Sequence, residues 1–219
     1  MEKVIIIGGK GTAVLIAEQI YDAKVRYGVD IDVLGFAFDD PAYKDGINGW
    51  PVLCGTREAY DLYKDDPNVK FVFSLYRSDL LKERIELRES LNIPLDRFLS
   101  FVHPSSYIAK SVKMNGANII LANTVVNTNV CLGYHNTILS NIVISHDTII
   151  GNNNFFASHA CIGSGIHMGN GNFIGLNSSI RTYTSIGDNN IIGMASNIIT
   201  NIESNSILVG NPGKILRSK

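Results

Sequence analysis

From Ile108 onward, every sixth residue is apolar. The positions are Ile108, Met114, Ile120, Val126, Leu132, Ile138, Ile144, Ile150, Phe156, Ile162, Met168, Ile174, Ile180, Ile186, Ile192 and Ile198. Sixteen steps keep one register, which in a chain that is 45% hydrophobic chance would produce on the order of a few times in a million. A period of six belongs neither to a helix nor to an ordinary strand. It fits a short strand that sends one side chain inward and then turns a corner. Gly follows the anchor at 133, 151, 163, 169, 175, 187 and 193, and Gly and Asn at corners tolerate a positive φ that β-branched residues resist. Three such faces close a coil of about 18 residues, a parallel β-helix. Stacked at about 4.8 Å, roughly five coils make a prism about 25 Å long. The anchors are its core and carry no chemistry.

A different pattern precedes the repeat. Lys3 to Ile7 is a β-branched run, followed by Gly8-Gly9-Lys10-Gly11 and a helical pattern from Ala13 to about Tyr27. Strand, glycine turn and helix open a nucleotide-binding βαβ unit, although Gly9-x-Gly11 is followed by Val14 where the fingerprint has a third Gly or Ala. The turn either lets the backbone of Gly9, Lys10 and Gly11 approach a phosphate or is only a tight connection. A second strand, Ile31 to Phe38, ends in Asp39-Asp40. Carboxylates at a strand tip reach a ribose or a base, or serve as turn residues before Pro41. A short strand or loop at 49–54, a helix at 57–63, a strand at 70–75 and a charged helix at 78–91 complete an α/β unit. The expected division is a small Rossmann-like domain, 1–104, and a β-helix domain, 105–219. His103 before Pro104 reads as a structural linker residue.

Composition narrows the partners. The chain of 219 residues has a net charge of −1 and 18% charged residues, which gives no general attraction to nucleic acid or an anionic membrane. The apolar run at Val4 to Ile7 is too short for a signal-peptide core, and no run reaches 18 apolar residues. Cys54, Cys131 and Cys161 are scattered thiols without CxxC spacing. These features read as a cytoplasmic protein in a reducing compartment.

Four histidines lie in the repeat: His135, His146, His159 and His167. His146 falls in Ser145-His146-Asp147, about halfway along the prism. An imidazole titrates near neutral pH and an acid beside it can orient it, which suits a general base. Neighbouring residues on a strand face opposite ways, so the pair alone is a weak motif.

Together, these motifs resemble the bacterial left-handed β-helix acyltransferases that modify sugars and carry an N-terminal Rossmann-like domain. The resemblance covers almost the whole chain. It rests on Gly8-Gly9-Lys10-Gly11, Phe36-Ala37-Phe38-Asp39-Asp40, His103-Pro104-Ser105, the hexads, Ser145-His146-Asp147-Thr148-Ile149-Ile150-Gly151, and Val209-Gly210-Asn211-Pro212-Gly213-Lys214. It implies an acetyl-CoA-dependent N-acetyltransferase acting on the 4-amino group of a nucleotide-linked 4-amino-4,6-dideoxy sugar in bacterial surface-glycan synthesis. Sugar O-acetylation of the sialic-acid type is the alternative. By the same resemblance, His146 is the general base and Asp147 tunes it, while Gly163 or Gly175 offers an N–H to the tetrahedral oxyanion. Gly175 and Gly193 meet pantetheine or adenine, and Arg181, Lys214 and Arg217 either meet CoA phosphates or form a solvated surface. Gly9, Gly11 and Asp39 or Asp40 hold the nucleotide-sugar. Relatives are homotrimers with the site in the cleft between prisms. They often carry a second histidine nine residues after the base. Here that position is Phe155, which is left to wall the thioester channel.

Two other readings compete. A zinc-dependent carbonic anhydrase on this prism needs three converging histidines. No two of the four histidines stand a whole coil apart in the sequence, so none stacks on another in register; ligands from two subunits stay open to a metal assay, and no metal is expected. A non-catalytic binding solenoid is separated from an acetyltransferase by assay for free CoA. A nicotinamide oxidoreductase is disfavoured by the small domain and the broken fingerprint.

Overall fold

The structure is a computed structural model that describes residues 1–218. It divides into two compact units, Met1–Leu99 and Ser100–Lys219. The division falls a few residues before the sequence expectation, because Phe101–Val102 already pairs with Ile119–Ile120 in the repeat.

The N-terminal unit is a four-stranded parallel sheet. Its strands are β1 (Glu2–Ile7), β2 (Ile31–Ala37), β3 (Val52–Cys54) and β4 (Val69–Phe73), in the order β3-β2-β1-β4. Between them run helices α1 (Thr12–Tyr27), α2 (Ala59–Tyr63) and, after β4, α3 (Leu81–Ser90). Small residues Ala13, Ala17 and Ala23 bring α1 close to the sheet, with Ile16 and Ile20 filling the gap between. Gly28 ends this helix in the left-handed conformation at φ 71, and Lys24 and Arg26 in the last turn face the negative end of its dipole. Arg97 closes the far side. Its guanidinium donates to the carbonyls of Tyr63, Lys64, Asp66 and Val69 at 2.8–3.1 Å. The strand order reverses between β1 and β4, so the crevice outside their carboxyl ends is where an α/β sheet receives a ligand.

The second unit is a left-handed parallel β-helix. Each hexad gives a short strand, and each strand pairs with the one three hexads later, as Cys131 with Ile149 and Thr137 with Phe155. The chain visits three walls in turn. One holds Lys113–Met114, Cys131–Leu132, Ile149–Ile150, His167–Met168 and Ser185–Ile186. The second runs from Phe101–Val102 through Phe155–Phe156 to Ile191–Ile192, and ends in the antiparallel hairpin of Ser206–Val209 with Lys214–Ser218. The third runs from Tyr107–Ile108 through Val143–Ile144 to Asn197–Ile198. From Ile120 to Ile198 every anchor is buried.

Two interior features differ from the sequence expectation. From residue 118 onward a second buried column stands two residues before the anchors, and on one edge it is entirely polar: Asn118, Asn136, Asn154, Asn172 and Asn190, all at most 1% exposed. The carboxamide oxygens of the first four accept the backbone N–H of the asparagine one coil on, at 2.8–3.0 Å, and that of Asn190 accepts the Ser206 N–H at 2.8 Å. The positive φ values, for their part, fall three residues before the anchors, at Asn123, Asn129, His135, Asn141, Asp147, Asn153 and onward. The glycines after the anchors are needed for another reason. A Cβ on Gly151 would sit 2.7 Å from the carbonyl oxygen of Gly169 in the next coil, and one on Gly163 would sit 2.6 Å from the Thr182 nitrogen. Stacking, and not a left-handed backbone, excludes a side chain there.

Candidate active site

His146 and Asp147 lie on the corner between the third wall, at Val143–Ile144, and the first, at Ile149–Ile150. Asp147 is not on a strand. At φ 58 it occupies the left-handed corner position, and this turns its carboxylate back toward the preceding side chain. His146 Nδ1 lies 2.8 Å from Asp147 Oδ2, and Asn129 Nδ2 donates to Asp147 Oδ1 at 2.9 Å. The side chains of His146 and Asp147 are 53% and 59% exposed. The Asn129 amide, with the imidazole second, holds the Asp147 carboxyl below its ordinary value of 3.8. An ionised carboxylate can only accept, so this contact favours the tautomer in which Nδ1 donates and the Nε2 lone pair is free to act as a base. Sequence reading missed Asn129. It stands one coil before Asp147, at the equivalent corner position with φ 60.

The other expected contacts divide between two corners. Gly163 and Arg181 follow Ser145 at coil intervals, so they share the His146 corner, and Arg181 is exposed. Gly175 and Gly193 stand on the corner between the second and third walls. The N–H groups of both expected oxyanion donors are engaged within the prism. The Gly163 N–H donates to Ile180 O at 3.0 Å and the Gly175 N–H to Ile192 O at 2.8 Å, both inside the coil ladder. Lys214 and Arg217 lie exposed on the last strand of the hairpin, opposite Val209 and Ile207. Phe155 is buried and stacks on Phe173, with ring centroids 5.2 Å apart and planes 2° from parallel. His135 and His159 take corner positions at φ 56 and 65, and His167 lies exposed on the first wall. Among the described residues, no three His, Cys, Asp or Glu side chains come together as a metal would require.

In the N-terminal unit, the crevice at the strand ends holds two cavities of about 460 and 420 Å³ that share Phe38, Leu75 and Arg84. Lys10, Ser74 and Arg77 line one, and Asp39, Thr56 and Arg57 the other. The hydroxyls of Ser74 and Thr56 are buried without a hydrogen-bond partner, an arrangement that a ligand can relieve. The paired aspartates separate here. Asp39 faces the cavity, with Oδ1 accepting the Thr56 N–H at 2.8 Å. Asp40 caps the short turn at Pro41–Tyr43 and bonds Lys10 Nζ at 2.8 Å. That pairing lowers the Asp40 pKa and raises that of Lys10. Lys10 also lies 4.6 Å from the centre of the Tyr43 ring. Gly9 is required by packing, since a Cβ there would strike the Phe38 ring. Gly11 meets nothing within 4 Å but stands at φ +53 at the start of α1, which has no side-chain cap.

A small Rossmann-like unit before a hexapeptide-repeat prism is a fold shared with solved sugar acetyltransferases. A variant of perosamine N-acetyltransferase from Caulobacter crescentus, solved with CoA and GDP-perosamine, matches over 100% of this chain and 98% of its own, with a TM-score of 0.83 and 20% identity. The acetyltransferase domain of PglB from Neisseria gonorrhoeae matches over 99% of this chain and 100% of its own, with a TM-score of 0.80 and 20% identity. That domain has also been solved with acetyl coenzyme A. WeeI from Acinetobacter baumannii matches over 99% and 100%, with a TM-score of 0.80 and 19% identity. No family profile matches the chain, and no curated protein does. No helix among the described residues is long and apolar enough to cross a membrane.

Proposed function

We propose that this protein transfers the acetyl group of acetyl-CoA to the 4-amino group of a nucleotide-linked 4-amino-4,6-dideoxy sugar in bacterial surface-glycan synthesis. One observation carries the reading. An exposed imidazole is held through Nδ1 by an ionised carboxylate, on a rigid corner of a fold whose solved examples bind CoA and GDP-perosamine. Nε2 of His146 takes the proton from the amine as nitrogen attacks the thioester carbonyl. The C–N bond forms, the C–S bond breaks, and the proton passes from the imidazolium to the departing CoA thiolate. No covalent enzyme intermediate is required when both substrates are bound together.

The nucleotide belongs in the N-terminal crevice. Lys10, Arg77 and Arg84 supply cations for a diphosphate, and the uncapped start of α1 adds its N–H groups. Asp39 meets the ribose or base from the cavity wall, and Asp40 keeps Lys10 beside the glycine turn. A homotrimer accounts for the division of the CoA contacts. It would set the His146 corner of one copy, with Gly163 and Arg181, against the Gly175 and Gly193 corner of the next. Phe155 packs within its own prism against Phe173 and supports the wall behind the thioester. A cytoplasmic location follows from the need for acetyl-CoA and a nucleotide-sugar.

The test is to mix the purified protein with acetyl-CoA and a panel of GDP-, UDP- and dTDP-linked 4-amino sugars, and to follow free CoA with a thiol reagent. CoA release that depends on one amino sugar is expected. Release with none of the panel would overturn the proposal.

A further inference from the structure

The polar side chains below His146 form a ladder along one corner, and we infer that Asn129 is a positioning residue for the base. This rests on the acetyl-transfer reading of His146. Three successive coils place Ser111, Asn129 and Asp147 one above another. Ser111 Oγ accepts the Asn129 backbone N–H at 2.8 Å, which fixes the lower residue. The Asn129 side-chain amide then donates to Asp147 Oδ1 at 2.9 Å, while Asp147 Oδ2 faces His146 Nδ1 at 2.8 Å. The Asp147 N–H is tied to the same lower coil through Thr128 O at 3.0 Å.

Hydrogen-bond logic assigns the donors and acceptors along this chain. An amide NH₂ only donates, so Asp147 Oδ1 must accept. A reversed Asn129 amide would set its oxygen against a carboxylate oxygen. Asp147 is therefore an acceptor at both oxygens and His146 Nδ1 is its donor, so the neutral ring keeps its one proton on Nδ1 and its lone pair on Nε2. Without Asn129, the half-exposed carboxylate is free to rotate about its own side-chain bonds, and nothing else on the lower coil holds Oδ2 against the ring. Asn129 acts on the base through Asp147.

The corner requires φ 60 at residue 129, which limits the informative substitutions to residues that tolerate it. Asn129→Asp keeps the shape and removes the donor. Asn129→Gly keeps the backbone and removes the side chain. The first readout is the imidazole ¹⁵N spectrum of the free protein above neutral pH, with His146 assigned by its loss in His146→Gln. The wild type should show the Nδ1-protonated tautomer, and both variants a mixture. The second readout is steady-state kinetics. For both variants kcat should fall about 10-fold, less than for loss of the base itself, with KM for acetyl-CoA unchanged. Thermal midpoints should stay within about 2 °C, as for surface substitutions. An unchanged tautomer in both variants, an unchanged kcat, or a kcat that falls only in step with the thermal midpoint would overturn the role. Because the spectrum needs no substrate, a failure of the positioning role is distinguishable from a failure of acetyl transfer.

Discussion

Asn154 sits directly over Asn136, and both its backbone N–H and its side-chain amide donate to the Asn136 carboxamide oxygen, at 3.0 and 3.1 Å. Its own oxygen does the same for Asn172, and its amide also meets Gly169 O at 3.0 Å. Asn154→Ala would leave several of these groups buried and unpaired, each costing about 1–3 kcal/mol. The expected loss is about 3 kcal/mol or more, read by urea unfolding, with no comparable loss for Asn→Ala at an exposed position of the surface loops.

His146→Ala should lower kcat by about 10²–10⁴-fold, the range for removing a general base. Asp147→Asn, which keeps the left-handed corner, should give a smaller drop because the neutral amide no longer stabilises an imidazolium. Both side chains are more than half exposed, so the thermal midpoint should hardly move. Rates close to wild type in His146→Ala would remove that residue from the chemistry.

Two glycines separate the two reasons for having one. Gly151→Ala places a methyl group 2.7 Å from Gly169 O and 2.6 Å from Asn170 Oδ1. Coil spacing must open locally, and a loss of about 1–3 kcal/mol is expected. Gly11→Ala meets no atom within 4 Å and carries only the strain of φ +53, about 1 kcal/mol. Circular dichroism melts of the two variants should rank them in that order, with the Gly151 variant the less stable.

The Lys10–Asp40 pair predicts a plateau against pH. The Asp40 pKa is depressed, so its share of stability is present above 3.8 and is lost as pH falls through the lower folded value. The Lys10 pKa is raised, so its share is full below 10.5 and is lost as pH rises through the higher folded value. Both groups are solvent-facing and the effect is small. The difference in melting temperature between wild type and Lys10→Met should be constant from about pH 5 to pH 9 and should close in acid.

The thiols should differ in reactivity. Burial, and then the charges of Glu58 and Asp39, push the Cys54 pKa up to about 11, whereas Cys161 is exposed on the third wall. At pH 8 a disulfide reagent should modify Cys161 far faster than Cys54. Cys161→Ser should remove the fast phase, and persistence of that phase would contradict the assignment.

The apolar anchors were legible because their period is rigid and one side chain per hexad must face inward. The polar interior column was not, because Asn118 and Asn136 carry the same letter as the corner residues Asn123 and Asn129. Only coil stacking separates a buried carboxamide from one that merely tolerates a positive φ. The same limit hid the geometry of the His146–Asp147 pair. Strand alternation sets adjacent residues on opposite faces, whereas φ 58 at Asp147 brings them together. Asn129 becomes visible once the sequence is stepped back by one coil from Asp147. Ser74 and Thr56 had no such rule, since an orphaned hydroxyl shows itself only when its surroundings are known.

Because the corner ladder advances by whole circuits of the chain, the length of the second unit can change only in quanta. Adding or deleting one full circuit would slide His146 along the axis relative to the terminal hairpin and leave its compass bearing untouched. Inserting a single hexad between residues 129 and 147 would instead swing everything beyond it by one face, and the amide at 129 would no longer find a carboxylate above it.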